Sequence, residues 1–200
     1  MLIRDYALSD LPYLYDICLR TGDSGKDATA LYTDPFLVGQ YYAAPYAHCD
    51  PRSVLILEGE LGGVKRPLGY ILGTPDTAAY NAWFDRAWRP GAAALYGEGP
   101  EKSALEKSLR ALFSSPLALP DFYADYPGHM HIDLLPEAQG SGWGRKLIDA
   151  FSERLRFMGC PGFHLGVGKG NGNGIAFYRR YGMTELGAPD WGYYFGKRLV

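Results

Sequence analysis

Short aliphatic runs and alternating apolar and polar segments recur along the chain and predict a sheet of about seven strands. Residues 2–6 alternate between apolar and polar side chains, whereas residues 53–58 form a continuous aliphatic run typical of a buried strand. Residues 68–73 follow a turn-rich link, which predicts a hairpin with the preceding strand. The predicted strands lie at residues 2–6, 53–58, 68–73, 129–135, 162–167, 183–187 and 191–199.

Apolar residues at helical spacing alternate with these strands. The predicted helix over residues 143–157 has one apolar face, made of Trp143, Leu147, Ile148, Phe151 and Leu155. About fifty residues, 74–127, separate the third and fourth predicted strands and contain helical patterns over 77–88 and 101–113. The order of elements predicts one α/β domain over residues 1–200. We expect three layers, a mixed and mostly antiparallel sheet, and a helical insertion at about 74–127.

Composition narrows the class of protein. The chain is 47% hydrophobic with a net charge of −2, so it can form a sizeable core, and no basic run indicates nucleic acid or a membrane surface. No apolar run reaches the roughly eighteen residues of a membrane span. The N-terminus resembles neither a signal nor a transit peptide. Cys18, Cys49 and Cys160 lack CxxC spacing, which predicts reduced thiols in a cytoplasmic protein.

A glycine-rich turn links a predicted strand end to the helix at 143. The strand closes with Leu134, Leu135 and Pro136, and residues 139–144 then read Gln-Gly-Ser-Gly-Trp-Gly. The first N–H groups of a helix are unpaired and attract anions, and glycines allow close backbone approach. The P-loop pattern is absent, and GxGxxG would require glycine at Arg145. The segment is therefore either a pyrophosphate site of another kind or an ordinary turn before a core helix.

Two motifs together resemble the GNAT family of N-acetyltransferases. Residues 139–144 match the Gln-x-x-Gly-x-Gly turn that wraps the coenzyme A pyrophosphate in that family. Residues 171–183 resemble its Asn-x-x-Ala-Ile-x-x-Tyr-x-x-x-Gly-Phe segment, with Asn171, Tyr178 and Gly182 in register. Gly174 stands in place of the usual Ala and Met183 in place of the usual Phe. The match covers roughly the last 75 residues and implies a GNAT-type fold with acetyl-CoA as cosubstrate and no metal.

The resemblance also implies roles for individual residues. Tyr178 would be the acid that protonates the leaving thiolate, and Asn171 would bind the pantetheine arm or cap its helix. Leu134 and Leu135 would offer backbone amides, while Arg145 and Lys146 would either meet phosphates or remain solvated. The implied coenzyme-binding residues are Leu134, Leu135, Gln139, Gly140, Ser141, Gly142, Trp143, Gly144, Arg145, Asn171 and Tyr178.

The base that takes the amine proton has several candidates on one strand. His129, His131 and Asp133 alternate, so their side chains share one face. If that face looks into the cleft, His131 or Asp133 is the natural base. Metal ligation is a further possibility, although one strand gives poor chelating geometry. A buried, hydrogen-bonded histidine is another.

These motifs predict an acetyl-CoA-dependent N-acetyltransferase in which an amine attacks directly, with a small-molecule or protein amine as acceptor. The polar loop over residues 21–27 is a candidate acceptor rim, and the aromatic face of Tyr80, Trp83 and Phe84 either lines a pocket or packs inward. The insertion also looks like bacterial acetyltransferases similar to the acetyltransferase-like domain of O-GlcNAcase. That resemblance implies an alternative, a catalytically silent acetyl-CoA-binding module. A nucleotide-binding domain is a third reading, and a homodimer is possible.

Overall fold

A seven-stranded mixed sheet forms the centre of the protein in a computed structural model that describes residues 1–199. The strands are β1 Leu2–Asp5, β2 Val54–Leu61, β3 Val64–Thr74, β4 Gly128–Leu134, β5 Gly162–Gly168, β6 Thr184–Gly187 and β7 Gly192–Arg198. Their spatial order is β1-β2-β3-β4-β5-β7-β6. The β4–β5 pair is parallel and the other neighbours are antiparallel. The predicted sheet is therefore confirmed.

Helices cover both faces of this sheet. They are α1 Leu11–Thr21, α2 Leu37–Tyr42, α3 Ala44–Cys49, α4 Thr77–Trp83, α5 Arg89–Tyr96, α6 Ala104–Leu112, α7 Trp143–Phe157 and α8 Gly172–Tyr181. Phe151 of α7 lies against Gly73 of β3, whereas Cys18 of α1 lies beside Tyr70 of the same strand. Because residues an odd number apart point to opposite faces of a strand, α1 and α7 form the two outer layers. None of the helices in the described part of the chain combines the length and apolarity that crossing a membrane requires.

The insertion between β3 and β4 contains three helices rather than the predicted pair. The helix predicted over 77–88 continues through a π-helical turn at Phe84–Trp88 into α5, and α6 follows. A buried ion pair, with Arg110 Nη2 2.8 Å from Glu106 Oε1, anchors α6. The Glu106 carboxylate also accepts a hydrogen bond from the backbone N–H of Thr33, 73 residues away. The insertion is thereby fixed to the loop that follows α1.

The sheet opens where β4 and β5 run parallel. The two strands pair only at Gly128 with Phe163 and at His129 with His164, and they diverge beyond those positions. On its other edge β4 stays paired with β3 as far as Leu134. The divergence leaves a wedge-shaped cleft beside the second half of β4.

Candidate active site

The glycine turn has the backbone shape that the sequence predicts. Gly140 and Gly142 have φ angles of 78° and 77°, a region that other residues rarely adopt. Gly142 is the N-cap of α7, and no atom lies within 4 Å of the side-chain position at either glycine. Gln139 donates from Nε2 to the Leu134 carbonyl oxygen at 2.8 Å, which ties the turn to the end of β4. The turn therefore presents the first N–H groups of α7 to open space.

A cavity of about 670 Å³, here called the turn cavity, lies in front of this turn. Its walls include Gln139, Gly140, Gly142, Trp143, Gly144, Arg145, Asn171 and Tyr178. Lys26 and Arg180 also line it, so with Arg145 three cationic side chains surround the space. The sequence placed Lys26 in the candidate acceptor rim and gave Arg180 no role, because the approach of both to the turn depends on how distant segments fold together. Cationic groups beside a helix N-terminus suit a polyphosphate.

A second cavity of about 760 Å³, here called the wedge cavity, fills the gap between β4 and β5. The residues common to both cavities are Thr21, Ser24, Gly25, Ile132, Asp133, Asn171 and Tyr178. Three predicted site residues, Asp133, Asn171 and Tyr178, thus meet at the junction of the cavities. The loop after α1 contributes Ser24 and Gly25 to the same junction.

Tyr178 and Asn171 reach the junction from α8 and its N-terminus. Burial, together with the nearby charge of Asp133, raises the pKa of the Tyr178 hydroxyl, so this phenol is protonated at neutral pH and can donate. Asn171 Oδ1 accepts a hydrogen bond from the Gly174 N–H at 2.8 Å and caps α8. The helix-capping role of Asn171 is therefore observed, while its side chain also lines both cavities.

The two candidate bases, His131 and Asp133, both line the wedge cavity. Asp133 Oδ2 accepts a hydrogen bond from the Tyr70 hydroxyl at 2.6 Å. Burial raises the pKa of Asp133, and the Tyr70 hydrogen bond partly opposes that rise. Burial and the proximity of His164 lower the pKa of His131 to about 4, so His131 is uncharged at neutral pH and can accept a proton.

His131 does not stand alone, because Tyr46 lies between it and His129. The Tyr46 hydroxyl is 2.8 Å from His129 Nε2 and 2.9 Å from His131 Nε2. Both nitrogens are thus engaged in hydrogen bonds. Within residues 1–199, no group of three His, Cys, Asp or Glu side chains is arranged to hold a metal ion.

The backbone amides at the end of β4 do not behave alike. The Leu135 N–H donates to the Leu68 carbonyl oxygen at 2.8 Å, so the prediction that Leu135 offers a free amide is wrong. Successive residues of a strand point their N–H groups to opposite edges, so the Leu134 N–H points away from β3 into the cleft. The sequence could not separate the two, because the strand register decides which amide is paired.

The remaining predicted residues around the turn differ in position. Ser141 is exposed and is not part of either cavity wall. The Lys146 ammonium lies 4.1 Å from the centre of the Trp143 ring and outside both cavities, whereas Arg145 lines the turn cavity. Arg145 is therefore better placed than Lys146 to contact a phosphate in the turn cavity.

The aromatic face of the insertion mainly packs inward. Tyr80 and Phe84 are 3% and 1% exposed, and Tyr80 stacks on Tyr46 with ring centres 4.4 Å apart. Tyr80 and Phe84 also border a small cavity of about 260 Å³ that His129 and His131 share. This packing places α4 directly behind the histidines of β4.

Comparison with known proteins identifies the family of the chain. The model of the acetyltransferase (GNAT) family matches residues 118–183, which include the end of β4, the turn and α8. The crystal structure of SsHAT is 36% identical over 100% of this chain and 98% of that chain, with a TM-score of 0.90. The chain belongs to the GNAT family, and it is an acyltransferase that uses acetyl-CoA.

Two more distant structures share the fold. YncA, a putative acetyltransferase from Salmonella typhimurium with its cofactor acetyl-CoA, is 16% identical over 100% of this chain and 94% of that chain, with a TM-score of 0.56. The ribosomal-protein-alanine N-acetyltransferase from Brucella melitensis is 18% identical over 99% of each chain, with a TM-score of 0.54. The narrower resemblance to O-GlcNAcase-like acetyltransferases stays a prediction.

The turn cavity fits a coenzyme A phosphate group by its own chemistry. Gly140 and Gly142 leave room for close approach, and α7 supplies unpaired N–H groups. Lys26, Arg145 and Arg180 supply positive charge.

Proposed function

We propose that the protein is an N-acetyltransferase in which an amine in the wedge cavity attacks an acetyl thioester bound along the turn cavity. The observation that carries this proposal is the junction of the two cavities at Asp133 and Tyr178. Acetyl transfer needs a donor site and an acceptor site that share one point of reaction, with acid and base groups at that point.

Different residues of the chain bind the coenzyme and transfer the protons. The start of α7, with Lys26, Arg145 and Arg180, binds phosphates, and the Leu134 N–H offers a hydrogen bond to the arm that enters the cleft. When bound, acetyl-CoA supplies the activated acetyl group. Tyr178 donates its hydroxyl proton to the departing sulfur, and a base on β4 takes the proton of the attacking amine.

The walls of the wedge cavity indicate the kind of acceptor. Asp133 is the one charged residue that lines it within residues 1–199, and the other walls are neutral, with aromatic side chains such as Tyr41, Tyr42 and Tyr194. Among the described residues, no cationic side chain lines the cavity to bind a carboxylate or phosphate on the acceptor. We infer that the acceptor is an amine, free or on a peptide, whose remaining groups near the site are uncharged.

Calorimetric titration with acetyl-CoA tests the coenzyme site. We expect micromolar binding, equivalent to roughly −8 kcal/mol, that Gly142→Trp abolishes because the indole fills the space in front of α7. Gly62→Trp is the matched control, since Gly62 has a similar φ of 61° and open surroundings but lies in the β2–β3 hairpin. The control should bind as the wild type does.

A panel of amines then tests turnover. Acetyl-CoA-dependent acetylation of at least one amine whose other groups are uncharged would support the proposed N-acetyltransferase activity. Binding of acetyl-CoA with no turnover of any amine would favour the catalytically silent module. Absence of binding would contradict the coenzyme site itself.

A further inference from the structure

A chain of hydrogen bonds runs from the backbone carbonyl of Pro127, directly before β4, to His131. Its first link is fixed in direction, because the Thr77 hydroxyl lies 2.7 Å from the Pro127 carbonyl oxygen, and a carbonyl can only accept. The same hydroxyl lies 2.8 Å from His129 Nδ1. Since a threonine hydroxyl has one proton and gives it to Pro127, its oxygen accepts from His129 Nδ1. Neutral His129 therefore holds its proton on Nδ1.

This tautomer of His129 sets the next two links. With the proton on Nδ1, His129 Nε2 is an acceptor and receives the Tyr46 hydroxyl proton at 2.8 Å. That hydroxyl has no second proton, so at 2.9 Å its oxygen accepts from His131 Nε2–H. Neutral His131 therefore holds its proton on Nε2 and keeps a lone pair on Nδ1.

The surroundings keep both histidines neutral. Burial, followed by the neighbouring His131 and His164, holds the pKa of His129 well below its usual range. The titratable groups that face the pair are Tyr46 from α3, Tyr42 from α2, Tyr80 from α4, His164 from β5 and, two residues along β4, Asp133.

The lone pair on His131 Nδ1 is accessible. Within residues 1–199, Tyr80 Oη and Arg110 Nε are the side-chain nitrogen or oxygen atoms that are both buried and unpaired. The hydrogen bond of His131 uses Nε2, and its Nδ1 is not among the buried unpaired atoms. The His131 side chain lines the wedge cavity. His131, the residue at the acceptor end of the chain, thus lines the cavity assigned to the amine.

We propose that His131 Nδ1 takes the amine proton, and that Tyr46, His129 and Thr77 are positioning residues that fix His131 in the Nε2–H tautomer. The assignment rests on the proposed function. As the N–C bond forms from a neutral amine, the amine proton passes to His131 Nδ1. The C–S bond breaks, and Tyr178 protonates the sulfur. His131 then carries one extra proton and Tyr178 lacks one, so transfer of that proton through the cleft restores both.

Long-range proton–nitrogen correlation spectra of the full chain labelled with ¹⁵N-histidine test the tautomers directly. The protein has four histidines, so single substitutions assign the signals. We expect His129 as the Nδ1–H form and His131 as the Nε2–H form. Detection of His131 as Nδ1–H, or as imidazolium, at neutral pH would overturn the proposal whatever the activity.

Thr77 variants connect the tautomer to turnover. Thr77→Val keeps the shape but removes the acceptor for His129 Nδ1–H, so we expect the tautomers of His129 and His131 to mix. The kcat should then fall about tenfold or more, with the KM for acetyl-CoA unchanged. Thr77→Ser restores the hydroxyl and should restore both the spectrum and kcat.

Tyr46→Phe removes the central link and should give the same pair of effects. Tyr123→Phe is its control, because the Tyr123 hydroxyl donates to Asp76, the N-cap of the helix that contains Thr77, but takes no part in the chain of hydrogen bonds. Full kcat in Thr77→Val or Tyr46→Phe would overturn the positioning role. If the tautomers are as expected but no amine is acetylated, the proposed function fails and the catalytic role of His131 fails with it. Calorimetry with acetyl-CoA reports separately whether the coenzyme site is intact.

Discussion

Tyr70 donates a hydrogen bond to Asp133 across the β3–β4 pair, with its oxygen 2.6 Å from Oδ2. Tyr70 is fully buried, and Asp133 lies where the turn and wedge cavities meet. Burial raises the pKa of Asp133 although the tyrosine partly offsets it. The Asp133 carboxyl group thus lies at the candidate reaction point, in surroundings that disfavour its ionisation.

Asp133→Asn should stabilise the protein at neutral pH while weakening catalysis. A carboxyl whose pKa is raised by folding lowers stability as the pH rises above its ordinary value of 3.8, whereas Asn cannot ionise and still accepts from Tyr70. Thermal unfolding from pH 3.5 to 8 should show a higher Tm for the variant at pH 7, with the difference shrinking towards acid. The KM for the amine should rise because the wedge cavity loses its charged group. A lower Tm for the variant at pH 7 would contradict this account.

Tyr178→Phe should retain acetyl-CoA binding and lose turnover by about 10²-fold, because the thiolate loses its proton donor. Tyr181→Phe, one turn further along α8, is the matched control. Its hydroxyl donates to Asp149 at 2.5 Å and lines neither cavity. Calorimetry and steady-state rates measure the two properties separately. Undiminished turnover in Tyr178→Phe would remove the hydroxyl from the acid role.

Glu106→Gln should destabilise the protein by about 3 kcal/mol, because Arg110 is left as a buried cation without its partner. Burial alone would raise the pKa of Glu106, but hydrogen bonds from Lys102, Thr33 and Arg110 outweigh it and lower the pKa to about 2. A lowered pKa adds stability above the ordinary value of 4.5 that is lost as the pH falls towards 2. Urea unfolding at pH 7 and pH 3 should show a smaller difference between wild type and variant at pH 3. Equal differences would contradict the assignment.

Gly73→Ala should destabilise the sheet by about 3 kcal/mol or more, since the added Cβ would lie 2.0 Å from the His129 carbonyl oxygen. Gly91→Ala is the contrasting variant, with no atom within 4 Å of its Cβ in α5, and it should raise stability by up to about 1 kcal/mol. Chemical denaturation of both variants measures the contrast. A tolerated Gly73→Ala would mean that β3 and β4 can separate locally.

The strands and the glycine turn were predictable because each depends on local chemistry. Aliphatic runs and alternating apolar and polar positions marked all seven strands to within a few residues, and the Gln-x-x-Gly-x-Gly turn opens α7 as expected. The insertion was less predictable. Its aromatic residues follow a helical pattern through Phe84–Trp88, and nothing in that pattern signals the π-helical turn or the continuation into α5.

Sequence alone identified candidate residues for the site. The alternation of β4 put His131 and Asp133 on one face, and the resemblance of residues 171–183 to the GNAT segment singled out Asn171 and Tyr178. Tertiary structure decided which of them can act. The register of β3 on β4 pairs the Leu135 N–H with Leu68 and directs the Leu134 N–H towards the cleft. The fold also brings Lys26 and Arg180 to the glycine turn. The link from Tyr46 to His131 spans 85 residues. Such contacts are set by packing between distant segments, and no local pattern encodes them.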